Sequence, residues 1–134
     1  MTALWFETAP ESGEYRALRA LCGLGPRCED AARIGLAHGL YAVTARDDGD
    51  LIAMGRVVGD GGAFVQIVDV AVHPHAQGQG LGRAIMIRLM TWCEAHLPAS
   101  CHVSLVSSER AAPLYTRFGF QPCRGMDRSA APQE

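Results

Sequence analysis

The chain has 134 residues, 12 basic and 14 acidic side chains and a formal net charge of −2, and every basic side chain is an arginine. A chain without lysine cannot hold a Walker A phosphate loop, form a Schiff base with pyridoxal or supply the strand amine of a protein kinase. The slight negative charge offers no general attraction to phosphate backbones, so no nucleic-acid partner is expected.

At roughly 100–200 residues per domain, residues 1–134 read as one domain, with 49% hydrophobic and 19% charged residues as in an ordinary soluble globule. No apolar run approaches the ~20 residues needed to span a membrane, and the first fifteen residues lack both the basic leader and the apolar stretch of a secretion signal. The five cysteines (Cys22, Cys28, Cys93, Cys101, Cys123) form no C-x-x-C pair. They suggest neither a disulfide framework nor a zinc site, and the expectation is reduced thiols in a cytoplasmic protein with no metal.

Residues 4–8 read as an edge strand, broken by Pro10-Glu11-Ser12-Gly13. Tyr15, Leu18, Leu21 and Cys22 recur at helical spacing and predict a helix over 14–22, stopped by Gly23-Leu24-Gly25-Pro26. A second helix is predicted over 29–38, with Glu29 and Asp30 at its positive end and Gly39 beyond its last turn. Residues 40–46 and 51–58 are apolar, β-branched runs around Asp47-Asp48-Gly49-Asp50, the chemistry of an antiparallel hairpin. Asp60-Gly61-Gly62 makes a second turn, and 63–72 continues the meander as a third strand.

Residues 80–96 form the longest periodic segment. Arg83, Arg88, Thr91 and Glu94 fall within an arc of roughly 140°, leaving the rest to Leu81, Ile85, Met86, Leu89, Trp92 and Cys93 against a sheet. Pro98 ends this helix, 101–106 is a further strand, and a short helix carries 113–118, beginning at Ala112 or Pro113 because proline suits only a first turn. From Phe120 the chain reads as a final brief strand, centred on 123–127, before a frayed polar tail over 128–134. The strands at 65–72 and 101–106, joined through a helix, are expected to lie parallel and adjacent. The whole is a mixed α/β domain.

The chemistry is concentrated between Val70 and Arg83, where a strand runs into Pro74 and Gly78, Gly80 and Gly82 open the long helix. Such glycines let the backbone approach a ligand, and the first helical turn offers unpaired N–H groups at a positive dipole end, a cradle for pyrophosphate. The alternating spacing does not match the dinucleotide G-x-G-x-x-G fingerprint. Taken alone, the glycines fit a tight turn packed against a strand equally well.

Gln77-Gly78-Gln79-Gly80-Leu81-Gly82 resembles the Gln/Arg-x-x-Gly-x-Gly/Ala signature of the GNAT superfamily of N-acetyltransferases. The stretch Ala111-Ala112-Pro113-Leu114-Tyr115-Thr116-Arg117-Phe118-Gly119-Phe120 resembles that family's second signature, A-x-x-L-Y-x-x-x-G-F. The resemblance covers residues 4 to about 127 and implies an α/β (α+β) fold with a mostly antiparallel sheet, a splayed parallel strand pair and flanking helices. It implies acetyl-CoA as co-substrate, and transfer of its acetyl group to a primary amine of a small molecule by direct attack in a ternary complex.

On that resemblance Val70, Ala71 and Val72 pair with the pantetheine arm, and Gln77, Gly78, Gln79, Gly80, Leu81 and Gly82 cover the diphosphate. Arg83 either reaches a phosphate or is solvated. Ser108 stands where relatives carry an asparagine that touches the pantetheine. Tyr115 is placed as proton donor to the departing thiolate rather than as a packed tyrosine, and the N–H of Val72 polarises the carbonyl. Gln66 occupies the strand position where many relatives have a glutamate base and cannot take a proton. Asp69, the only carboxylate on that strand, either serves the amine, directly or through water, or is a buried acid satisfying backbone donors. Glu29 and Asp30 lie in the region that shapes the acceptor site of relatives, or are simply helix-start acids. The acceptor site is then open towards the brief last strand or completed by a second copy in a homodimer. Alternative functions are a catalytically weak acyl-CoA-binding module, in the manner of a toxin–antitoxin partner, and a protein or peptide acetyltransferase. His73-x-His75 lacks a third ligand and is not read as a metal site.

Overall fold

The computed structural model describes residues 2–131 and builds them around one five-stranded sheet in the order β1-β2-β3-β4-β5. In chain order the elements are β1 (Leu4–Phe6), α1 (Ser12–Leu21), α2 (Glu29–Ala37), β2 (Tyr41–Asp47), β3 (Asp50–Gly59), β4 (Phe64–Val72), a 3₁₀ turn (Pro74–Ala76), α3 (Leu81–His96), β5 (His102–Leu105) and α4 (Ala112–Thr116). β1 to β4 are antiparallel neighbours, and β4 and β5 are parallel. The expected mixed, mostly antiparallel sheet with flanking helices is therefore what the chain forms.

Local chemistry explains the main boundaries. α1 starts two residues ahead of the predicted helix start at Glu14 because Glu11 and Glu14 form a reciprocal capping box, which satisfies donors the first turn leaves open. Glu14 also accepts from Arg46 of β2, at 2.5 Å from Nη2, tying the start of α1 to the sheet. In the β2–β3 turn Asp48 (φ 51°) and Gly49 (φ 87°) are both left-handed, the paired geometry that matches the twist of a two-residue hairpin.

The sheet buries both faces. Val43, Ala45, Ala53, Val57, Val65 and Ile67 pack with Ile85, Met86, Leu89 and Cys93 of α3 on one side. Met54 and Ala71 pack with Tyr15, Leu18 and Ala32 of α1 and α2 on the other. Gly55 allows α3 to sit close: a Cβ there would lie 2.5 Å from Ile85 Cγ2.

The last strand does not form. Residues 121–129 have no regular structure and are exposed. Gln121-Pro122-Cys123-Arg124-Gly125-Met126-Asp127 contains no β-branched residue, its proline cannot donate to a ladder, and its glycine weakens any strand. β5 consequently pairs with β4 alone among the described residues. Of the expected tail, 128–131 is exposed without regular structure, and 132–134 lies outside the described residues.

Candidate active site

The site begins with a discontinuity in β4. Met54 faces Ala71 and Arg56 faces Val68, so one residue of β3, Gly55, stands opposite two of β4, Asp69 and Val70. This is a β-bulge, and Asp69 carries its left-handed turn at φ 60°. The bulge changes which residues face which helix layer. Before it, Val65 and Ile67 point into the α3 layer; after it, Val70 and Val72 do, while Ala71 joins the α1 layer.

Parallel pairing between β4 and β5 ends at Ile67 opposite Leu105, just where the bulge begins. Beyond that point the strands part, and a cleft of about 1010 Å³ runs between them, floored by 66–72 of β4 and by Leu105 and Val106. The N–H of His73 donates to Ile52 O on β3 at 2.7 Å, so by strand alternation the polar backbone groups of Val72 point to the opposite edge, into the cleft. Val72 O is engaged there by Gln77 Nε2 at 3.0 Å and by the Cys22 thiol at 3.2 Å. These contacts leave the N–H of Val72 as the polar backbone group of that residue open to a ligand.

Gln77 links this strand to the glycine loop. Gly78 (φ 79°) and Gly80 (φ 82°) hold left-handed backbone, and Gly80 is the N-cap of α3, with no side chain to close the helix end. The N–H groups at the start of α3 thus have no cap, at the positive end of a sixteen-residue helix. Of the expected cradle residues Gln77 lines the cleft, and Gly78, Gln79, Gly80, Leu81 and Gly82 follow it along the loop into α3, with Gly82 close enough to α4 that a Cβ would touch Leu114. Arg83 is exposed and does not line the cleft.

Across the cleft, α4 begins at Ala112 and presents Leu114 and Tyr115 to it. Burial raises the Tyr115 phenol above its ordinary pKa, and its hydroxyl bonds to no described residue. Ser108 lines the same wall and accepts from the N–H of Ala111 at 3.2 Å. Gln66 lies in the floor, between Val58 on β3 and Ser104 on β5.

Asp69 lines the cleft with both carboxylate oxygens held by side chains. Oδ1 accepts from Arg19 Nη1, and Oδ2 accepts from Tyr15 Oη at 2.8 Å and from Arg56 Nε at 2.9 Å. The two arginines are fixed in turn: Arg19 Nε and Nη2 donate to Gly25 O at 3.0 and 2.7 Å, and Arg56 Nη1 to Gly35 O of α2 at 3.0 Å. Of the two readings open for Asp69, the geometry favours a satisfied buried acid, whose donors are side chains and not backbone amides. Burial, with the Asp69 charge second, raises the Tyr15 hydroxyl above its ordinary value, so it stays a donor at neutral pH.

Glu29 and Asp30 are exposed at the start of α2, outside the cleft, and Asp30 pairs with Arg33 at 3.3 Å. Sequence reasoning missed Tyr15, Arg19, Cys22 and Arg56. Two signals were available: Tyr15 and Arg19 share the inner face of α1 at i, i+4, and Arg56 interrupts an apolar strand on the Met54 face. Among the described residues no group of three His, Cys, Asp or Glu side chains could hold a metal, and no helix is long and apolar enough to cross a membrane.

Comparison with known proteins agrees with this geometry. The chain is 30% identical over 117 residues to the chloroplastic serotonin N-acetyltransferase 2 of Oryza sativa, covering 84% of this chain and 58% of that protein. It is 35% identical over 80 residues to the glucosamine 6-phosphate N-acetyltransferase of Trypanosoma brucei, covering 50% and 52%. The chain thus spans little more than half the length of these relatives. A Staphylococcus aureus crystal structure described as a probable acetyltransferase superposes with a TM-score of 0.91 at 39% identity, over 96% of this chain and 99% of that one. The pattern of the acetyltransferase (GNAT) family matches residues 5–120, from β1 through the parted strands, the glycine loop and Tyr115. With cradle, cleft and family pattern coinciding along that span, the chain belongs to the GNAT acetyltransferase family.

Proposed function

We propose that the protein transfers the acetyl group of acetyl-CoA to a primary amine of a small molecule, by direct attack while both are bound. The observation that carries the reading is the opening of β4 from β5 at the bulge, with the uncapped α3 N-terminus at one end and the Tyr115 hydroxyl on the wall. Acetyl-CoA, the co-substrate of this family, supplies the acetyl group as an activated thioester.

The residues present suit that group. The backbone of Gln77 to Gly82 holds the diphosphate through amides, which suits a loop whose glycines keep Cβ atoms away. The cleft-facing backbone of Val70 and Val72 pairs with an extended arm as a neighbouring strand would, and Ser108 offers it a hydroxyl. The Val72 N–H points into the cleft, and a fixed donor of that kind would stabilise a carbonyl oxygen as it gains negative charge. Tyr115 Oη keeps its proton at neutral pH and delivers it to the departing sulfur. Asp69 is a positioning residue, because its oxygens already accept from three side chains; the amine loses its proton to water in the open cleft. Glu29 and Asp30 have no part in this reading.

Mixing purified protein with acetyl-CoA and a panel of amines, amino acids, amino sugars and peptides, and following free thiol, tests the proposal. Turnover of small amines supports it. A rise in melting temperature with acetyl-CoA but no turnover favours a binding module, to which Gln66 in place of a carboxylate is favourable. Turnover of peptides alone favours protein acetylation.

A further inference from the structure

We propose that the acceptor is a small amine carrying an acidic group, carboxylate or phosphate, and that the buried Arg19–Asp69–Arg56 cluster selects it. The inference rests on the acetyltransferase reading above and names its substrate class.

Charge is the first argument. Two guanidinium groups share one carboxylate, which leaves the cluster at +1, and the three side chains are only 9%, 3% and 9% exposed for Arg19, Asp69 and Arg56. A net charge held in a poorly solvated wall acts on a ligand with little screening. The bias extends along the cleft, where five arginines and two aspartates face the ligand space, although the chain as a whole is net negative.

Position is the second argument. The uncapped N-terminus of α3, which suits the cofactor diphosphate, belongs to the helix layer packed with Val57, Val65 and Ile67. Arg19 and Arg56 lie over the ring of Tyr15, which packs in the opposite layer with Met54 and Ala71. Their charge is therefore not needed for the diphosphate and faces whatever enters the gap from the α1–α2 side. Arg56 lines the cleft, and its Nη2, beside Gly35 of α2, donates to no described residue.

The same charge acts on the amine. A net positive wall disfavours the ammonium form and favours the neutral nucleophile, which matters on a strand where Gln66 cannot take a proton and Asp69 is held by three side chains. Polyamines meet the wall with further positive charge and are rejected.

The test is a set of matched acceptors with saturating acetyl-CoA: O-phosphoethanolamine against ethanolamine, β-alanine against β-alaninamide, and spermidine. The anionic member of at least one pair should show a kcat/KM at least tenfold higher, mainly through KM, and spermidine should be the poorest substrate. The phosphate and carboxylate pairs together identify which acid fits. Arg56→Gln removes the excess charge and should bring the ratio near one, whereas Arg56→Lys should keep most of it. Asp69→Asn raises the cluster to +2 and should widen the ratio. Loss of rate on all acceptors alike with Asp69→Asn, at an unchanged ratio, would make Asp69 a base and overturn the assignment. Equal rates within both pairs, or preference for the neutral members or spermidine, would also overturn it while leaving acetyl transfer standing. Turnover of no amine, with acetyl-CoA still raising the melting temperature, would remove the acetyltransferase reading and this inference with it.

Discussion

Gly55→Ala tests how closely α3 packs on the sheet. The added Cβ would lie 2.5 Å from Ile85 Cγ2 and 3.0 Å from Leu89 Cδ1, and both side chains are completely buried. Ile85 cannot swing away cheaply, because Cγ2 is attached at Cβ and a β-branched residue in a helix has one strongly favoured χ1. Relief requires α3 to shift, and overpacking of this kind costs about 1–3 kcal/mol. Against it, Gly55 has ordinary backbone angles, so alanine gains about 0.4–1 kcal/mol by restricting the unfolded chain. The strain wins, with a net loss of about 1–2 kcal/mol. At about 2.1 cal/mol/K per residue the unfolding entropy lowers the melting temperature by about 4–7 °C. Urea titration and thermal melts read the effect. Ile85→Ala alone should cost about 2–5 kcal/mol. In the double variant the new methyl occupies part of the space left behind, so the cycle should show rescue of at least about 1 kcal/mol. A Gly55→Ala protein as stable as the parent, or strictly additive losses, would refute the close packing.

Four shorter predictions follow from other contacts. Tyr115→Phe should lower kcat by about 10²-fold or more with little change in acetyl-CoA affinity, measured by stopped thiol-release assays and calorimetry. Thr44 is fully buried and its hydroxyl has no partner among the described residues, so Thr44→Val should raise stability by about 1 kcal/mol in urea titrations. Burial, aided by its hydrogen bond to Glu7, pushes the Tyr41 phenol up to about 12. A group raised on folding stabilises below its unfolded value and loses that contribution as pH climbs through its folded one, so part of the stability should vanish between about pH 10 and 12, with a shallower decline in Tyr41→Phe. Without lysine, prolonged incubation with acetyl-CoA should add at most one hydroxylamine-resistant acetyl group by intact mass, at the α-amino terminus.

What the sequence made legible was local. The Asp48-Gly49 hairpin, the α3 stripe and the glycine cradle each depend on residues a few positions apart, and period, turn chemistry and caps report them directly. The clamp on Asp69 joins residues 50 apart for Arg19 and 54 apart for Tyr15, and no periodicity encodes such a meeting. Asp69 therefore read as a lone acid on a strand, and its two arginines as members of separate elements. The final strand erred differently. Phe120 and the nearby apolar residues suggested extended chain, but Pro122 and Gly125 in a run without β-branched residues outweigh them.

The bulge at Asp69 gives β4 two reading frames. Up to Val68 odd-numbered residues feed the α3 layer, and from Val70 even-numbered ones do, so the strand's two halves are phased by a single surplus residue. Pairing residue 69 regularly, without the bulge, would turn Val70 and Val72 towards α1 and Ala71 towards α3, whereas deleting it would leave Val70 and Val72 facing α3 in an unbroken alternation. The deletion would make the ladder with β3 regular and keep the α3 core, at the expense of the carboxylate that holds Tyr15, Arg19 and Arg56. Length, and not only composition, is therefore a constrained property of this strand: a substitution there changes one contact, whereas a surplus residue that no bulge absorbs exchanges the inside and outside of everything from it to Val72.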